Sequence, residues 1–341
     1  MKNRNIWIDG IMGVVLGDAL GLPVQFLSRE ELDVNPVTDM MGHGVFNLPK
    51  GSWSDDSSLT LATMDSLLRC RAVSCSDIME NFADWLLDGR FTPYAKAFDQ
   101  GNTCVKAIVN YVKNNDTDKC GVTGEYANGN GALMRIMPMC LYGYEHTVAN
   151  AKTEETILDM IHDVSALTHN HLRSKIACGI YYFMVKAILD EEGDLQTRMQ
   201  KGIDYARRYY VKDEENIPQL AYYGRIADLE EFKAVPREDI RSSGYVVDSL
   251  EAAVWSLITT DSLEEALLKA VNLGKDTDTV AAIAGGLGGL YYGYESVRES
   301  WRKAIVKEEK IREMCEKMAG RMQLFLCNDA VKVQINGLCM M

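Results

Sequence analysis

The sequence has few prolines and no excess of basic charge. Only seven prolines occur in 341 residues, and no Pro-rich or Gly/Ser-rich stretch marks a linker. The formal net charge is −13, from 36 basic and 49 acidic residues. Such a chain has no general attraction for nucleic acid phosphates or for anionic lipid surfaces. An anionic ligand would therefore need local binding, by backbone amides or by metal ions.

Several signatures of common enzyme classes are also missing. No GxSxG, HExxH, GxxxxGKS or strand-linked GxGxxG motif occurs, which argues against serine hydrolases, zinc metalloproteases, P-loop proteins and dinucleotide-binding folds. No CxxC pair occurs either, and the number of cysteines is odd. We therefore expect buried free thiols in a reducing compartment, taken to be the cytoplasm, and no thiolate zinc site. The nine cysteines are Cys70, Cys75, Cys104, Cys120, Cys140, Cys178, Cys315, Cys327 and Cys339.

The N-terminus faintly imitates a signal peptide, because Lys2 and Arg4 precede an apolar run. Asp9 and Asp18 interrupt that run, and no small-residue cleavage site follows it. No stretch of about 20 uncharged apolar residues is present, so we expect no membrane-spanning segment.

Helical periodicity dominates the rest of the chain, which has the composition of a globular protein, with 47% hydrophobic and 25% charged residues. A short strand is predicted only at Val331–Ile335. The simplest interpretation is one compact all-α domain over residues 1–341. Apolar residues recur at spacings of three and four, as on amphipathic helices, at Ile157, Ile161, Val164 and Leu167, at Val247, Leu250, Val254 and Leu257, and at Leu263, Leu267, Ala270 and Val271.

A first acidic cluster, Ser54, Asp55 and Asp56, immediately precedes an apolar run over residues 59–68. Its ordinary explanation is helix capping, because Ser and Asp accept hydrogen bonds from free backbone amides at a helix start. Adjacent carboxylates also repel each other, so the pair would attract a cation. Oxygen ligands of this kind suit Mg²⁺ or Mn²⁺.

A second cluster, Asp276, Asp278 and Thr279, precedes a run of Ala and Gly over residues 280–290. Capping explains only one of its acids well. A helix built of Ala and Gly can pack closely against neighbours and hold the preceding loop rigidly in the interior. A two-metal site needs several carboxylates from separate elements, and the two clusters together supply that set.

A glycine-rich segment over residues 128–135 offers backbone amides to an anion such as a diphosphate. The alternative is an ordinary turn, since Asn-Gly is a strong turn signal. Arg135 would contact a ligand phosphate or pair with a buried acid. Asp99 and Asn102 flank a glycine, which local turn hydrogen bonds can explain alone.

Two histidines, His169 and His171, lie two positions apart and so would not share a helix face. This spacing disfavours a zinc site. A single histidine contacting a ligand phosphate or ribose remains possible, as does a core histidine with satisfied hydrogen bonds.

Together these segments resemble the ADP-ribosylglycohydrolase family, which includes the enzyme that reactivates dinitrogenase reductase. The resemblance runs from Gly10 to about Gly293. Each motif alone is weak, but all occur in the family's order and at similar separations. They are Gly17–Phe26 (GDALGLPVQF), Trp53–Ser57 (WSDDS), Phe98–Asn102 (FDQGN), Asn128–Arg135 (NGNGALMR), Leu167–His169 (LTH) and Asp276–Thr279 (DTDT) followed by AAIAG.

The resemblance implies an orthogonal multi-helix bundle with a motif-bearing core over about residues 10–293 and a C-terminal helical extension over 294–341. It also implies a centre of two divalent cations, Mg²⁺ or Mn²⁺. The metal ligands implied by position are Ser54, Asp55, Asp56, Asp276, Asp278 and Thr279. Ser54 stands where threonine is common in the family, and it retains the hydroxyl.

The resemblance further implies how a substrate would bind. Asp99 and Asn102 would face the ribose beside the scissile bond, while Gly129, Asn130 and Gly131 would hold the diphosphate with His169 nearby. Catalysis would fall to Asp55, Asp56 and Asp99. Gln25 would also contact the substrate. Some members carry Glu at this position, and an amide cannot act as a general base or an anionic ligand.

The function implied is metal-dependent hydrolysis of an ADP-ribosyl bond, in which water attacks an anomeric carbon with oxocarbenium character. The substrate would be an ADP-ribosylated protein or a small ADP-ribose conjugate, with the linkage to arginine, serine or an acyl group left open. A catalytically silent ADP-ribose-binding protein and a metal-dependent phosphohydrolase of nucleotide sugars are the alternatives. A monomer is favoured.

Overall fold

The computed structural model describes residues 4–321, and the structural statements below concern that part of the chain. It is all-helical: no strand forms there, and the only β-type pairings are three isolated bridges between single residues. The α-helices are α1 (Ile6–Gly21), α2 (Arg29–Val34), α3 (Asp55–Cys70), α4 (Cys75–Asp88), α5 (Asn102–Asn114), α6 (Thr117–Cys120), α7 (Met137–Val148), α8 (Glu154–Ala166), α9 (Leu172–Asp190), α10 (Leu195–Tyr210), α11 (Ile217–Leu220), α12 (Leu229–Lys233), α13 (Val246–Ile258), α14 (Leu263–Val271), α15 (Thr277–Tyr292), α16 (Glu299–Ala304) and a helix over residues 308–321.

The three predicted amphipathic stripes lie on α8, α13 and α14, and every residue of these stripes is buried. One hydrophobic core gathers side chains from Trp7 to Met318. The prediction of a single all-α domain is therefore confirmed for the described residues. Trp301 on α16 and Ile311 on the last described helix belong to the same core. The predicted strand at Val331–Ile335 lies outside the described residues.

Helix α1 lies at the centre of the bundle. Its N-cap residue Asn5 accepts hydrogen bonds from two backbone amides of the first turn, and the helix ends just before Pro23. The segment Ile6–Val24 is long and apolar enough to cross a membrane by length and composition alone, but 89% of it is buried inside the protein. A helix that is apolar on all sides is expected at such a central position.

Helices α1 and α15 run antiparallel with their backbones in contact. A Cβ atom added to Gly13 would lie 2.2 Å from the carbonyl oxygen of Gly285, and one added to Gly17 would lie 2.0 Å from that of Ala281. These distances are far below any real contact of a Cβ atom, so only glycine fits. The close approach brings the C-terminal end of α1 against the N-terminal end of α15.

The cysteines within residues 4–321 are free thiols, as expected, but not all of them are buried. Among the seven described, Cys75 is half-buried and Cys70 is exposed. The expectation of burial is wrong for Cys70 because it occupies the last position of α3, where that helix leaves the core. Cys327 and Cys339 lie outside the described residues.

Candidate active site

The first acidic cluster opens helix α3. Ser54 is the N-cap residue, and its hydroxyl oxygen accepts a hydrogen bond from the Asp56 backbone N–H at 3.4 Å. The capping interpretation therefore holds for Ser54. Asp55 and Asp56 occupy the first turn, and their side chains are almost completely buried, at 5% and 1% exposure. Capping leaves these two buried carboxylates unexplained.

Asp18 on α1 is a site residue that the sequence analysis missed. The backbone N–H of Ser54 donates to both carboxylate oxygens of Asp18 at 2.9 Å. Ser57 adds a backbone N–H at 3.0 Å and its hydroxyl at 2.5 Å. Asp18 thus satisfies free amides at the start of α3 and fixes that helix against α1. The feature of the sequence that could have identified Asp18 is its charge inside an otherwise apolar run.

The second acidic cluster opens helix α15. Asp276 holds the N-cap position, but its side chain caps nothing and instead accepts a hydrogen bond from the side-chain amide of Asn130 at 2.6 Å. Asp278 accepts the backbone N–H of Thr279 at 2.9 Å. The Thr279 hydroxyl lies 3.4 Å from an oxygen of Asp56. The two clusters, far apart in sequence, therefore meet in the fold.

Three carboxylates lie at the centre of this junction. Oxygens of Asp18, Asp56 and Asp278 all lie within 4.8 Å of one another, and all three residues are buried. Burial raises the pKa of Asp18 to about 6. Burial, followed by repulsion from neighbouring carboxylates, raises the pKa values of Asp55, Asp56 and Asp278 well above the usual range.

The donor set fits a divalent cation. One carboxylate oxygen of Asp56 and one of Asp278 are buried with no hydrogen-bond partner. An unpartnered buried carboxylate oxygen is costly unless a cation or donor satisfies it. The surrounding ligand atoms are carboxylate and hydroxyl oxygens, which suit Mg²⁺ or Mn²⁺.

A cavity of about 560 Å³ opens over this junction. The part of its lining next to the junction consists of the carboxylates of Asp55 and Asp276 and the hydroxyl of Thr279, which we call the acidic floor. Sixteen further residues complete its lining. They include the predicted substrate contacts Gln25, Asp99, Asn102, Gly129, Asn130, Gly131 and His169, together with Phe26, Cys104 and Lys275.

The glycine-rich loop forms one wall and includes the short 3-10 turn Asn130–Ala132. The side-chain amide of Asn130 donates to the Ser249 hydroxyl at 2.8 Å and to Asp276 at 2.6 Å. Its backbone N–H donates to the carbonyl of Gly244 at 3.0 Å. The side chain of Asn130 therefore anchors the loop to the second acidic cluster.

Gly131 packs directly on His169. A Cβ atom at Gly131 would lie 2.8 Å from Cε1 of His169 and 3.0 Å from the sulfur of Cys104. His169 itself is buried, with Nδ1 2.9 Å from the Thr168 hydroxyl. Burial, assisted by the nearby positive charge of Arg135, lowers the pKa of His169 to about 3. The imidazole is therefore neutral at physiological pH.

The expectations for Arg135 are wrong. Its guanidinium is fully buried and donates to the carbonyl of Val164 at 3.0 Å and to the Thr168 hydroxyl at 2.8 Å. It contacts neither the cavity lining nor a described acid, because these bonds and the ring of Phe82, 4.7 Å from the guanidinium, hold it in the core. His171 caps helix α9 by accepting the Arg173 backbone N–H.

Asp99 and Asn102 also line the cavity. Asp99 adopts a left-handed backbone conformation, with φ of 51°. Burial raises the pKa of the Asp99 carboxyl, and hydrogen bonding to Asp278 and Gln25 opposes that rise. Asn102 is the first residue of α5 and is exposed at the cavity rim. Ten of the sequence-predicted site residues therefore line one cavity, whereas Ser54, Asp56 and Asp278 belong to the acidic junction without being part of the lining, and Arg135 lies in the core.

The fold and site define an all-helical protein with a buried, oxygen-rich acidic centre beneath a ligand cavity. The sequence model of the ADP-ribosylglycohydrolase family matches residues 4–325. The chain belongs to this family, and it is a hydrolase of ADP-ribosyl bonds.

Two relatives and one solved structure illustrate the similarity. The chain is 29% identical over 311 residues to the ADP-ribosylarginine hydrolase Tri1 of Serratia proteamaculans, covering 90% of this chain and 77% of the relative. It is 29% identical over 299 residues to the ADP-ribosyl-[dinitrogen reductase] glycohydrolase of Rhodospirillum rubrum, covering 86% and 88%. A chain of an ADP-ribosylglycohydrolase-related protein complex superposes with a TM-score of 0.73 and 26% identity, covering 94% of this chain and 99% of that chain.

Proposed function

We propose that the protein releases ADP-ribose from a modified protein side chain or a small ADP-ribose conjugate by metal-dependent hydrolysis. One observation carries the proposal: the clusters opening α3 and α15 meet beneath a cavity whose wall is the glycine-rich loop. Such a cavity offers cation ligands at one position and backbone amides for a diphosphate at another. The names of the relatives above support the same class of substrate.

Two divalent cations, Mg²⁺ or Mn²⁺, are the proposed cofactors. Their ligands would come from Ser54, Asp55, Asp56, Asp276, Asp278 and Thr279, and Asp18 is an additional candidate because it belongs to the central carboxylate group. When bound, such ions supply Lewis acidity and neutralise the charge of the clustered carboxylates. Ser54 and Thr279 provide neutral oxygen ligands, which limits the negative charge of the centre.

The protein groups would then bind the substrate and handle the proton. Gly129, Asn130 and Gly131 would form the diphosphate-binding loop, in which Asn130 fixes the loop because its own donors are occupied. His169, neutral and buried, would donate from its ring to a ligand oxygen. Asp99 and Asn102 would face the reacting ribose.

Asp99 is the best candidate for the general base. It lies at the cavity with one carboxylate oxygen free of hydrogen bonds, and burial raises the pKa of its carboxyl towards the working pH. A base is most effective when its pKa lies near that pH. Asp55 and Asp56 would contribute to catalysis by holding the cations that would bind the reacting ribose.

Gln25 supports a second candidate function. Its amide cannot accept a proton as a carboxylate does, so a catalytically weak ADP-ribose-binding protein is the alternative. Calorimetry that detects tight ADP-ribose binding, together with barely detectable product release from every substrate, would select this alternative. Release of inorganic phosphate from nucleotide sugars would instead indicate a phosphohydrolase.

The decisive experiment combines Asp55→Asn with Asp56→Asn and measures ADP-ribose release from modified protein by mass spectrometry. Wild-type protein should release ADP-ribose with Mg²⁺ or Mn²⁺ and lose this activity in a chelator. The double variant should lose it under all conditions, by at least about 100-fold given the magnitude of charge effects at such sites. Asp88→Asn, at the exposed end of α4, is the matched control. Full activity of the double variant in chelator would disprove the proposal.

We also propose a cytoplasmic protein that acts as a monomer. The free thiols of the described cysteines support a reducing compartment. Sedimentation and cell fractionation would test both points.

A further inference from the structure

The guanidinium of Arg135 carries a buried positive charge that no neighbouring acid neutralises. Its side chain is fully buried, and no carboxylate within residues 4–321 forms an ion pair with it. Two of its nitrogens, Nε and Nη1, are buried without a hydrogen-bond partner. Burying such a group is unfavourable, and apolar side chains often replace buried charged groups without loss of stability. The packing of the core therefore does not explain why an arginine occupies this position.

The third nitrogen of Arg135, Nη2, makes both of its hydrogen bonds. It donates to the carbonyl of Val164 at 3.0 Å and to the hydroxyl oxygen of Thr168 at 2.8 Å. The guanidinium lies over the ring of Phe82, with 4.7 Å between Cζ and the ring centroid. The two bonds and the ring fix the guanidinium in place, and the hydroxyl of Thr168 is the one side-chain acceptor that it reaches among the described residues.

The hydroxyl of Thr168 connects Arg135 to the histidine of the cavity. Its oxygen lies 2.9 Å from Nδ1 of His169. A hydroxyl donates one hydrogen and accepts with its lone pairs, while a neutral imidazole donates from one nitrogen and accepts at the other. Because Nη2 of Arg135 binds a lone pair of the hydroxyl oxygen, the hydroxyl hydrogen is available to Nδ1. In that arrangement Nδ1 accepts, and the ring proton lies on Nε2.

The charge of Arg135 favours the same arrangement over its reverse. The hydroxyl oxygen could instead accept a second hydrogen bond, from a protonated Nδ1. The positive end of the ring dipole would then face a hydroxyl that is already bound to a cation. With the lone pair of Nδ1 in this place, the negative end of the dipole faces the cation, and burial leaves this attraction poorly screened. The charge acts on the ring, since it contributes, after burial, to the low pKa of His169.

The other ring nitrogen of His169, Nε2, lies beside the glycine-rich loop. A Cβ atom added to Gly129 or to Gly131 would lie 3.4 Å from Nε2. His169 lines the cavity, and no residue in the described part of the chain hydrogen bonds to Nε2. This nitrogen is therefore available to a ligand oxygen at the loop.

We propose that Arg135 is a positioning residue for His169, and that it acts through the hydroxyl of Thr168 to keep the ring proton on Nε2. The Nε2–H group then donates to an oxygen of the ligand at the loop. That donation rests on the proposed function, whereas the position of the proton does not. Arg135 ends the glycine-rich segment over residues 128–135. The segment whose amides would bind a diphosphate thus also sets the tautomer of the histidine beside it.

The first test determines the tautomer in the protein without ligand. NMR of nitrogen-labelled histidine distinguishes a protonated from an unprotonated ring nitrogen, and loss of signals in His169→Gln identifies those of His169. In the wild type, Nε2 should carry the proton. Thr168→Val removes the hydroxyl and keeps the branched shape, so it should show both tautomers. Thr168→Ser, which retains a hydroxyl, should restore the single tautomer.

Arg135→Met distinguishes a positioning role from a purely structural one. Its urea unfolding midpoint should stay near that of the wild type, because relief of the buried charge offsets the two lost hydrogen bonds. His169 should nevertheless show both tautomers. The Kd for ADP-ribose should rise by about twofold or more, since apparent affinity falls with the fraction of the competent form. Arg135→Lys, which retains the charge, should keep the wild-type tautomer. If Arg135→Met does not fold, Thr168→Val decides the proposal.

Thr63→Val is the matched control. Thr63 is buried, and its hydroxyl donates to the Leu59 carbonyl of its own helix, so this change should alter neither the tautomer nor the Kd. A proton on Nδ1 in the wild type would overturn the proposal, as would an unchanged tautomer in Thr168→Val or in folded Arg135→Met. Failure of the wild type to bind ADP-ribose would instead overturn the proposed function, and the tautomer would still decide the role of Arg135.

Discussion

The hydroxyl of Thr279 lies 3.4 Å from a carboxylate oxygen of Asp56, although 223 positions of sequence separate the two residues. The local sequence cannot bring these two residues together, because each is positioned by the helix in whose first turn it lies. Their proximity depends on α1, which packs against α15 and carries the carboxylate that anchors α3. The function of the acidic centre therefore depends on residues that never contact substrate.

Asp18→Asn should weaken cation binding while destabilising the protein only in part. The amide keeps one acceptor oxygen, but its NH₂ group would face N–H donors from Ser54 and Ser57. We expect a loss of stability of about 1–3 kcal/mol and at least a tenfold weaker Mn²⁺ affinity, as for residues that orient metal ligands. Calorimetric titration with Mn²⁺ measures the second effect.

The control for this variant is Asp9→Asn on the same helix. Asp9 accepts hydrogen bonds from Arg4 and from the Tyr294 backbone, away from the cavity. This change should reduce stability and leave Mn²⁺ affinity intact. Equal Mn²⁺ affinity in Asp18→Asn and wild type would show that Asp18 is a structural residue only.

Gly17→Ala should be among the most damaging single-methyl changes in the chain. The added Cβ would meet the Ala281 carbonyl at 2.0 Å, so α1 and α15 would have to separate. We expect a loss of about 3 kcal/mol or more from this overpacking, measured by urea unfolding. Gly224→Ala introduces the same methyl group where nothing lies within 4 Å, and its unfolding midpoint should stay close to that of the wild type.

The carboxyl of Glu145 should make the free energy of unfolding fall as the pH rises. Burial raises the pKa of its carboxyl from 4.5 to about 8, and the hydrogen bond from Trp7 opposes that rise. The folded state therefore holds a proton that the unfolded state releases, and the stability it confers is lost between about pH 4.5 and 8. Glu145→Gln keeps the acceptor for Trp7 without a titrating group.

The measurement for Glu145 is the free energy of unfolding of both proteins at pH 5 and at pH 8. Glu145→Gln should match the wild type at pH 5 and exceed it by about 1–3 kcal/mol at pH 8, a value reduced from the full shift because the group is partly exposed. A constant difference between the two proteins across this range would contradict the prediction.

His169 should not titrate between pH 5 and 8, because burial lowers its pKa to about 3. Carbon-labelled histidine NMR would detect it as a ring signal that is constant over this range and missing in His169→Gln. The same variant should weaken ADP-ribose binding by about fivefold, the value of one hydrogen bond. A midpoint for this signal near pH 6.5 would contradict both the neutral state and the proposed donor role.

Much of the fold could be predicted from sequence because helix periodicity is a local property. The stripes on α8, α13 and α14 needed only the spacing of apolar residues. Helix α1 gave no such stripe, since it is apolar on every side, and its central place follows from packing against α15 rather than from any local pattern.

The site was predictable where residues of one type cluster in sequence, and not where a single side chain joins distant elements. The sequence contains two pairs of neighbouring acidic residues that helix capping alone does not explain, Asp55 with Asp56 and Asp276 with Asp278. Asp18 stands alone, and its four hydrogen bonds to the start of α3 exist only in the folded molecule. Arg135 shows the reverse error: its neighbours Val164 and Thr168 are brought to it by α8, which no local pattern reveals.

The contact between α1 and α15 also sets the axial register of the two helices. A helix advances 1.5 Å and turns by about 100° per residue, so a slip of one position would swing Asp18 away from Asp278. Gly13 packs directly against Gly285, and Gly17 packs directly against Ala281. These close backbone contacts permit no such slip. Small substitutions along the contact between α1 and α15 should therefore alter the spacing between the carboxylates before they unfold the protein. That spacing in turn affects which cation the site prefers.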